Sequence, residues 1–147
     1  MTPKQSLRLN FEKVLELPPD AISWLLDLWH FIQIFDDYAD GDPVERNDTY
    51  EAAIAVLVKM PANPFFRRHA DWLHPQLYQM VMKWAASDIA ERSGQADERS
   101  FMWRAGYYDV VCQVTGLVHG SDVEKGYAAL RLYGEAMAEY RKEFPDA

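Results

Sequence analysis

Helix punctuation runs the length of this chain and constrains its fold more than any other feature. Thr2-Pro3-Lys4-Gln5 supplies an N-cap threonine, a proline at the first helical position and a reciprocating glutamine. A helix is predicted from there to about Leu17, where Pro18-Pro19 stops it. A long helix over residues 20–40 ends at Gly41, the residue that enters the left-handed C-terminal conformation without a Cβ penalty. Asp48-Thr49-Tyr50-Glu51 has capping-box spacing and opens a helix to about Met60. Asn63-Pro64 starts another, expected to break near His74-Pro75, where proline removes a hydrogen bond and clashes with the preceding turn. It resumes to about Ser93, before Gly94. Asp97 caps a helix reaching His119, with Gly120 as terminator. Ser121-Asp122-Val123-Glu124 is a capping box for the last helix, to about Phe144. No segment sustains period-two alternation, so no strand is predicted. The expected fold is all-α, a single-domain bundle of about six helices covering residues 1–147.

One helix differs from the rest. Around residues 98–119 apolar side chains point in every direction (Phe101, Trp103, Tyr107, Val110, Val111, Val114, Leu117 among them), which marks a buried, central helix. Its exception is a stripe of small or polar groups: Ala105, Asp109, Cys112, Gln113 and Gly116. Such a stripe permits close helix approach or leaves room for a ligand.

Charge and composition exclude several classes of function. The formal net charge is −8 and no stripe of Lys and Arg offsets it, so a nucleic-acid partner is not expected. The longest apolar run, residues 52–58, is far too short for a membrane span. The first ten residues have no apolar signal-peptide core, and Cys112 is the single cysteine, so a cytoplasmic protein without disulfides is expected. Aromatic residues make up 14% of the chain, a share that suits a partner surface or a pocket lining.

The chemistry-bearing candidates are carboxylates. Asp36 and Asp40 lie one turn apart on a helix, within reach of one hard cation. Asp88 falls inside the apolar arc of its helix, and Asp109 lies in the small-residue stripe. A buried carboxylate must be paired, hydrogen-bonded or metal-bound. Converging, Asp36, Asp40, Asp88 and Asp109 would form a magnesium site between helices, with Arg104 as a phosphate contact and Gln113 as a second substrate contact. The alternative is a solvated acidic helix end at Asp36-Asp37-Tyr38-Ala39-Asp40, with Asp88 and Asp109 held by Arg104, Arg92, Arg99 or the hydroxyls of Tyr107, Tyr108 and Tyr133.

Three resemblances bear on these residues. Asp36-Asp37-Tyr38-Ala39-Asp40, on a helix after an aromatic run, resembles the aspartate-rich motif of isoprenoid synthases, which implies magnesium held against a diphosphate. Asp27-Leu28-Trp29-His30-Phe31 is similar to a stretch of the all-α nucleotide pyrophosphohydrolases. The layout Pro61-Ala62-Asn63-Pro64-Phe65-Phe66, then Trp84, Glu91 and Arg104-Ala105-Gly106-Tyr107-Tyr108, resembles small helical proteins of phages and prophages, implying an accessory or assembly protein. Two functions follow as expectations: a non-catalytic protein that binds a protein partner or self-associates as a homodimer, and a magnesium-dependent enzyme acting on a diphosphate or nucleotide.

Overall fold

The computed structural model describes residues 1–147, and every regular element is helical. No helix is long and apolar enough to cross a membrane. The chain gathers into two compact units, Met1–Ala70 and Asp71–Ala147.

In the first unit α1 spans Pro3–Lys13, α2 Pro19–Asp40, α3 Arg46–Ile54, a π-helical turn Ala55–Lys59 and α4 Met60–Ala62, and the long α5, Pro64–Arg92, begins there. The predicted cap of α1 forms: Gln5 N donates to Thr2 Oγ1 at 3.1 Å and Thr2 N to Gln5 Oε1 at 2.8 Å. The helix stops at Lys13 rather than near Leu17. Leu15 N and Leu17 N turn back to the Asn10 and Phe11 carbonyls while Glu16 takes φ 49°. Pro18, whose ring disfavours helical backbone at Leu17, keeps the helix from resuming after this turn. α2 ends as expected, with Gly41 at φ 79° and Asp42 N reaching back to Asp37 O at 2.9 Å.

The first half of α2 carries this unit's core. Trp24, Leu25 and Ala21 are fully buried, and the Trp24 ring stacks on Phe66 with centroids 5.5 Å apart. Asn63 fixes the start of α5: its Oδ1 accepts from Phe65 N and Phe66 N, and its Nδ2 donates to Asp20 O at 3.0 Å. α3 departs from expectation at its start. Glu45 is the N-cap, and Asp48 is the third helical residue, accepting from Glu45 N. Asp48 therefore completes the box from inside the helix.

The second unit holds the rest of α5, then α6 Glu98–Arg104, α7 Tyr107–His119, α8 Val123–Leu130 and α9 Tyr133–Glu143. Pro75 lies inside α5, yet the non-helical residue is His69, at φ −122° and ψ 19°. His69 lies six residues before Pro75, beyond the Asp71 carbonyl that the proline ring crowds, so the break is not that clash. The buried stretch 98–119 is two helices rather than one. Ala105 leaves helical backbone at φ −91° and ψ 23°, and Tyr108 N and Asp109 N close tight turns onto the Ala105 and Gly106 carbonyls. The core expected of this stretch is present: Val110, Val111 and Val114 are fully buried. Asp97 caps α6, accepting from Ser100 N at 3.0 Å. At α8 the cap is Asp122, accepting from Lys125 N at 3.2 Å, one residue beyond Ser121. The last helix divides at Arg131-Leu132, where Gly134 N bonds to Arg131 O at three-residue spacing. Glycine at this point has little helix propensity to resist the tighter turn.

Candidate functional site

The four carboxylates expected to bind magnesium are distributed over both units. Asp36 and Asp40 occupy the last turns of α2, in the first unit. Asp88 lies on α5 and pairs with Arg92 one turn on, at 3.0 Å. Asp109 opens α7. No group of three or more His, Cys, Asp or Glu side chains that could hold a metal ion is found. The chain's sequence places acids at suitable helical positions, but convergence is a property of packing.

Arg104, the expected phosphate contact, is engaged within the second unit. Its Nη1 lies 2.8 Å from Glu91 Oε1, with only 15% of the Arg104 side chain and 7% of the Glu91 side chain exposed. The guanidinium also stands 4.6 Å from the centre of the Trp84 ring. Tyr140 completes the group, donating to Glu91 Oε2 at 3.1 Å, while its oxygen lies 2.6 Å from Ser100 Oγ. Ser100 in turn bonds to the backbone of Asp97, the cap of α6. Burial first, and then the Glu91 charge, push the Tyr140 hydroxyl up to about 12. One buried ionic group thus braces α5, α6 and α9.

Asp109 lies on a different feature, a cleft of about 320 Å³ in the second unit. α5 contributes Gln76, Gln79, Met80 and Lys83 to its wall. These positions are spaced i, i+3, i+4 and i+7, which is one face of a helix. α7 contributes Asp109, Cys112, Gln113 and Gly116 at the same spacing, preceded by Gly106, and Leu130 adds an apolar edge from α8. Polar cross-links lie at two levels. Lys83 Nζ is 3.1 Å from Asp109 Oδ2, and Tyr133 Oη donates to Asp109 Oδ1 at 2.7 Å. At the other level Gln76 Nε2 donates to Gln113 Oε1 at 3.4 Å, near the limit for such a bond. Burial raises the Cys112 thiol above its usual range, and the Asp109 carboxylate adds to this, so at neutral pH it is a thiol and no nucleophile. Burial and the bond to Asp109 hold the Tyr133 hydroxyl firmly protonated, as its donor role requires.

Of the expected site residues, then, the fold unites Asp109 and Gln113 and separates Arg104 into a brace. Tyr133 was among the partners expected for Asp109. Lys83 and Gln76 were not anticipated. The available signal was their spacing on α5, which matches the spacing of Asp109 and Gln113 on α7.

Two apolar faces remain uncovered. On α3 and the π-helical turn, Tyr50, Ile54, Leu57 and Val58 are 55%, 47%, 74% and 58% exposed. Their spacing of i, i+4, i+7 and i+8 ordinarily faces a core. On α5, Tyr78, Val81, Met82 and Ile89 are also exposed.

Comparison with protein-family models, with curated proteins and with solved structures finds no match to this chain.

Proposed function

We propose that this protein acts by binding rather than catalysis, and that it self-associates through the apolar face Tyr50, Ile54, Leu57 and Val58. The single observation that carries this reading is a core-spaced stripe left in solvent, with Leu57 at 74% exposure. The segment is also π-helical over Ala55–Lys59, a wide turn that recurs at functional places in helices.

Charge selects a second copy as the partner. Acids Glu45, Asp48 and Glu51 flank one end of the stripe, and Lys59 flanks the other. Two copies packed antiparallel about Ile54 bring each Lys59 toward Asp48 and Glu51 of the second copy, and oppose the helix dipoles favourably. Burying the rest of each apolar side chain contributes on the order of 1 kcal/mol, and eight are involved, against an association cost of at least about 4 kcal/mol. That balance supports a weak dimer, strengthened by whatever surrounds the stripe. The resemblance to small phage and prophage helical proteins points the same way, toward an assembly role, while the net charge of −8 disfavours nucleic acid.

Sedimentation equilibrium tests the proposal. The wild-type chain is expected to associate reversibly as concentration rises. Leu57→Glu removes two leucines from the interface and buries two carboxylates, so association weakens at least about a hundredfold. Met82→Glu, on the exposed face of α5, leaves association unchanged. A strictly monomeric wild type, or an oligomer indifferent to Leu57→Glu, refutes the proposal.

A further inference from the structure

We infer that the cleft between α5 and α7 binds a small zwitterion, an α-amino acid with a polar side chain of about glutamine's length. The cleft's volume of about 320 Å³ falls at the small end of ligand-binding cavities. Its charged groups are one cation and one anion, Lys83 and Asp109, set side by side at 3.1 Å. A net anion or net cation meets one of these with repulsion. A zwitterion instead matches both, its carboxylate at the Lys83 ammonium and its ammonium at the Asp109 carboxylate.

The second polar level sets the ligand's length. Four residues of α7 separate Asp109 from Gln113 and seven residues of α5 separate Lys83 from Gln76, a helical rise of about 6 to 10 Å. Between the levels lie the buried Met80 and the apolar edge of Leu130, which suit methylene groups. At the far end the two amides touch each other at only 3.4 Å, so they are readily opened to receive a ligand amide. Gly116 leaves that wall bare, with nothing within 4 Å of the place a Cβ would occupy. Cys112, within the same lining, stays protonated, so the site binds its ligand without forming a bond to it. The cleft belongs to the second unit, and its test reads small-molecule binding, so it stands or fails apart from self-association through α3.

The experiment is thermal unfolding and calorimetric titration with L-glutamine, with glycine as a probe too short to reach the amides. L-Glutamine is expected to raise the melting temperature saturably and to give a saturable heat of binding; glycine does neither at the same concentration. Lys83→Met and Gln113→Leu each weaken binding about tenfold or more, the effect of losing one hydrogen bond to a charged group or ligand amide. Gly116→Met, which fills the cleft with a better helix former, abolishes binding while the helical circular dichroism is kept. No saturable response to any of the common amino acids overturns the inference, as does a response that survives Gly116→Met.

Discussion

Removing Arg104 alone should unfold much of what the second unit holds together, whereas removing Arg104 and Glu91 together should not. The Arg104–Glu91 pair is short, at 2.8 Å, and withdrawn from water, with the carboxylate side chain 7% exposed. In Arg104→Met the carboxylate of Glu91 loses its cation but remains buried, and breaking such a pair from one side costs about 3–5 kcal/mol. The contact with Trp84, of about 0.5–2 kcal/mol, is lost in the same step. For a chain of this length each kcal/mol lowers the melting temperature by about 4 °C, so the combined loss of about 3.5–7 kcal/mol should lower it by about 14–28 °C. Glu91→Leu combined with Arg104→Met replaces both charges with apolar groups of similar volume, a change that is often neutral. The double variant is expected to lie within about 1 kcal/mol of wild type, with a coupling energy of at least about 2 kcal/mol. Urea unfolding followed by far-ultraviolet circular dichroism measures all four corners of the cycle. A single variant that loses less than about 1 kcal/mol, or two single losses that simply add, would refute the view that this buried pair braces the helices.

Three further outcomes follow from the structure. Tyr107, Tyr108, Tyr133 and Tyr140 all have hydroxyls raised above the ordinary value, burial being the largest cause in each. A raised folded value gives stability that is complete below pH about 10 and is lost as pH climbs toward the folded value, about 12 for Tyr140. Alkaline unfolding should therefore coincide with a late tyrosinate absorbance phase, and Tyr140→Phe should reduce the slope of stability against pH. Gly41→Ala places a Cβ at φ 79°, so it should cost about 1 kcal/mol by chemical unfolding, although open space surrounds the site. Specific magnesium binding at a hundred times its dissociation constant would add about 2.7 kcal/mol, so a melting shift in wild type that is lost in Asp36→Asn would report a site at the end of α2, and the lack of any shift would count against one.

Much of the local structure was legible before any coordinates. Thr2, Asp97 and Gly41 cap or terminate helices as their side chains and backbone freedom require, because capping is settled within four residues of chain. The nearly all-round apolar character of residues 98–119 announced buried Val110, Val111 and Val114, because a helix with only a narrow polar stripe goes inside. Helix ends were less legible where a neighbour decided them. α1 stops at Lys13 rather than near Leu17, and α5 breaks at His69 rather than at Pro75.

The site was legible only in its ingredients. That Asp109 needs a partner follows from its place in the stripe; that Tyr133 and Lys83 supply one depends on where α5 and α9 bring their side chains. From sequence Arg104 is a candidate phosphate contact or a partner for Asp88 or Asp109, and packing turns it onto Trp84 and Glu91. Likewise the spacing of Tyr50, Ile54, Leu57 and Val58 reads as a core face, and tertiary structure leaves it in solvent. Periodicity and capping are local, so the sequence by itself determined which segments are helices and which of them must be buried. Partner choice between charges, and the choice of which apolar face is covered, depend on residues dozens of positions apart, and only the tertiary structure decided them.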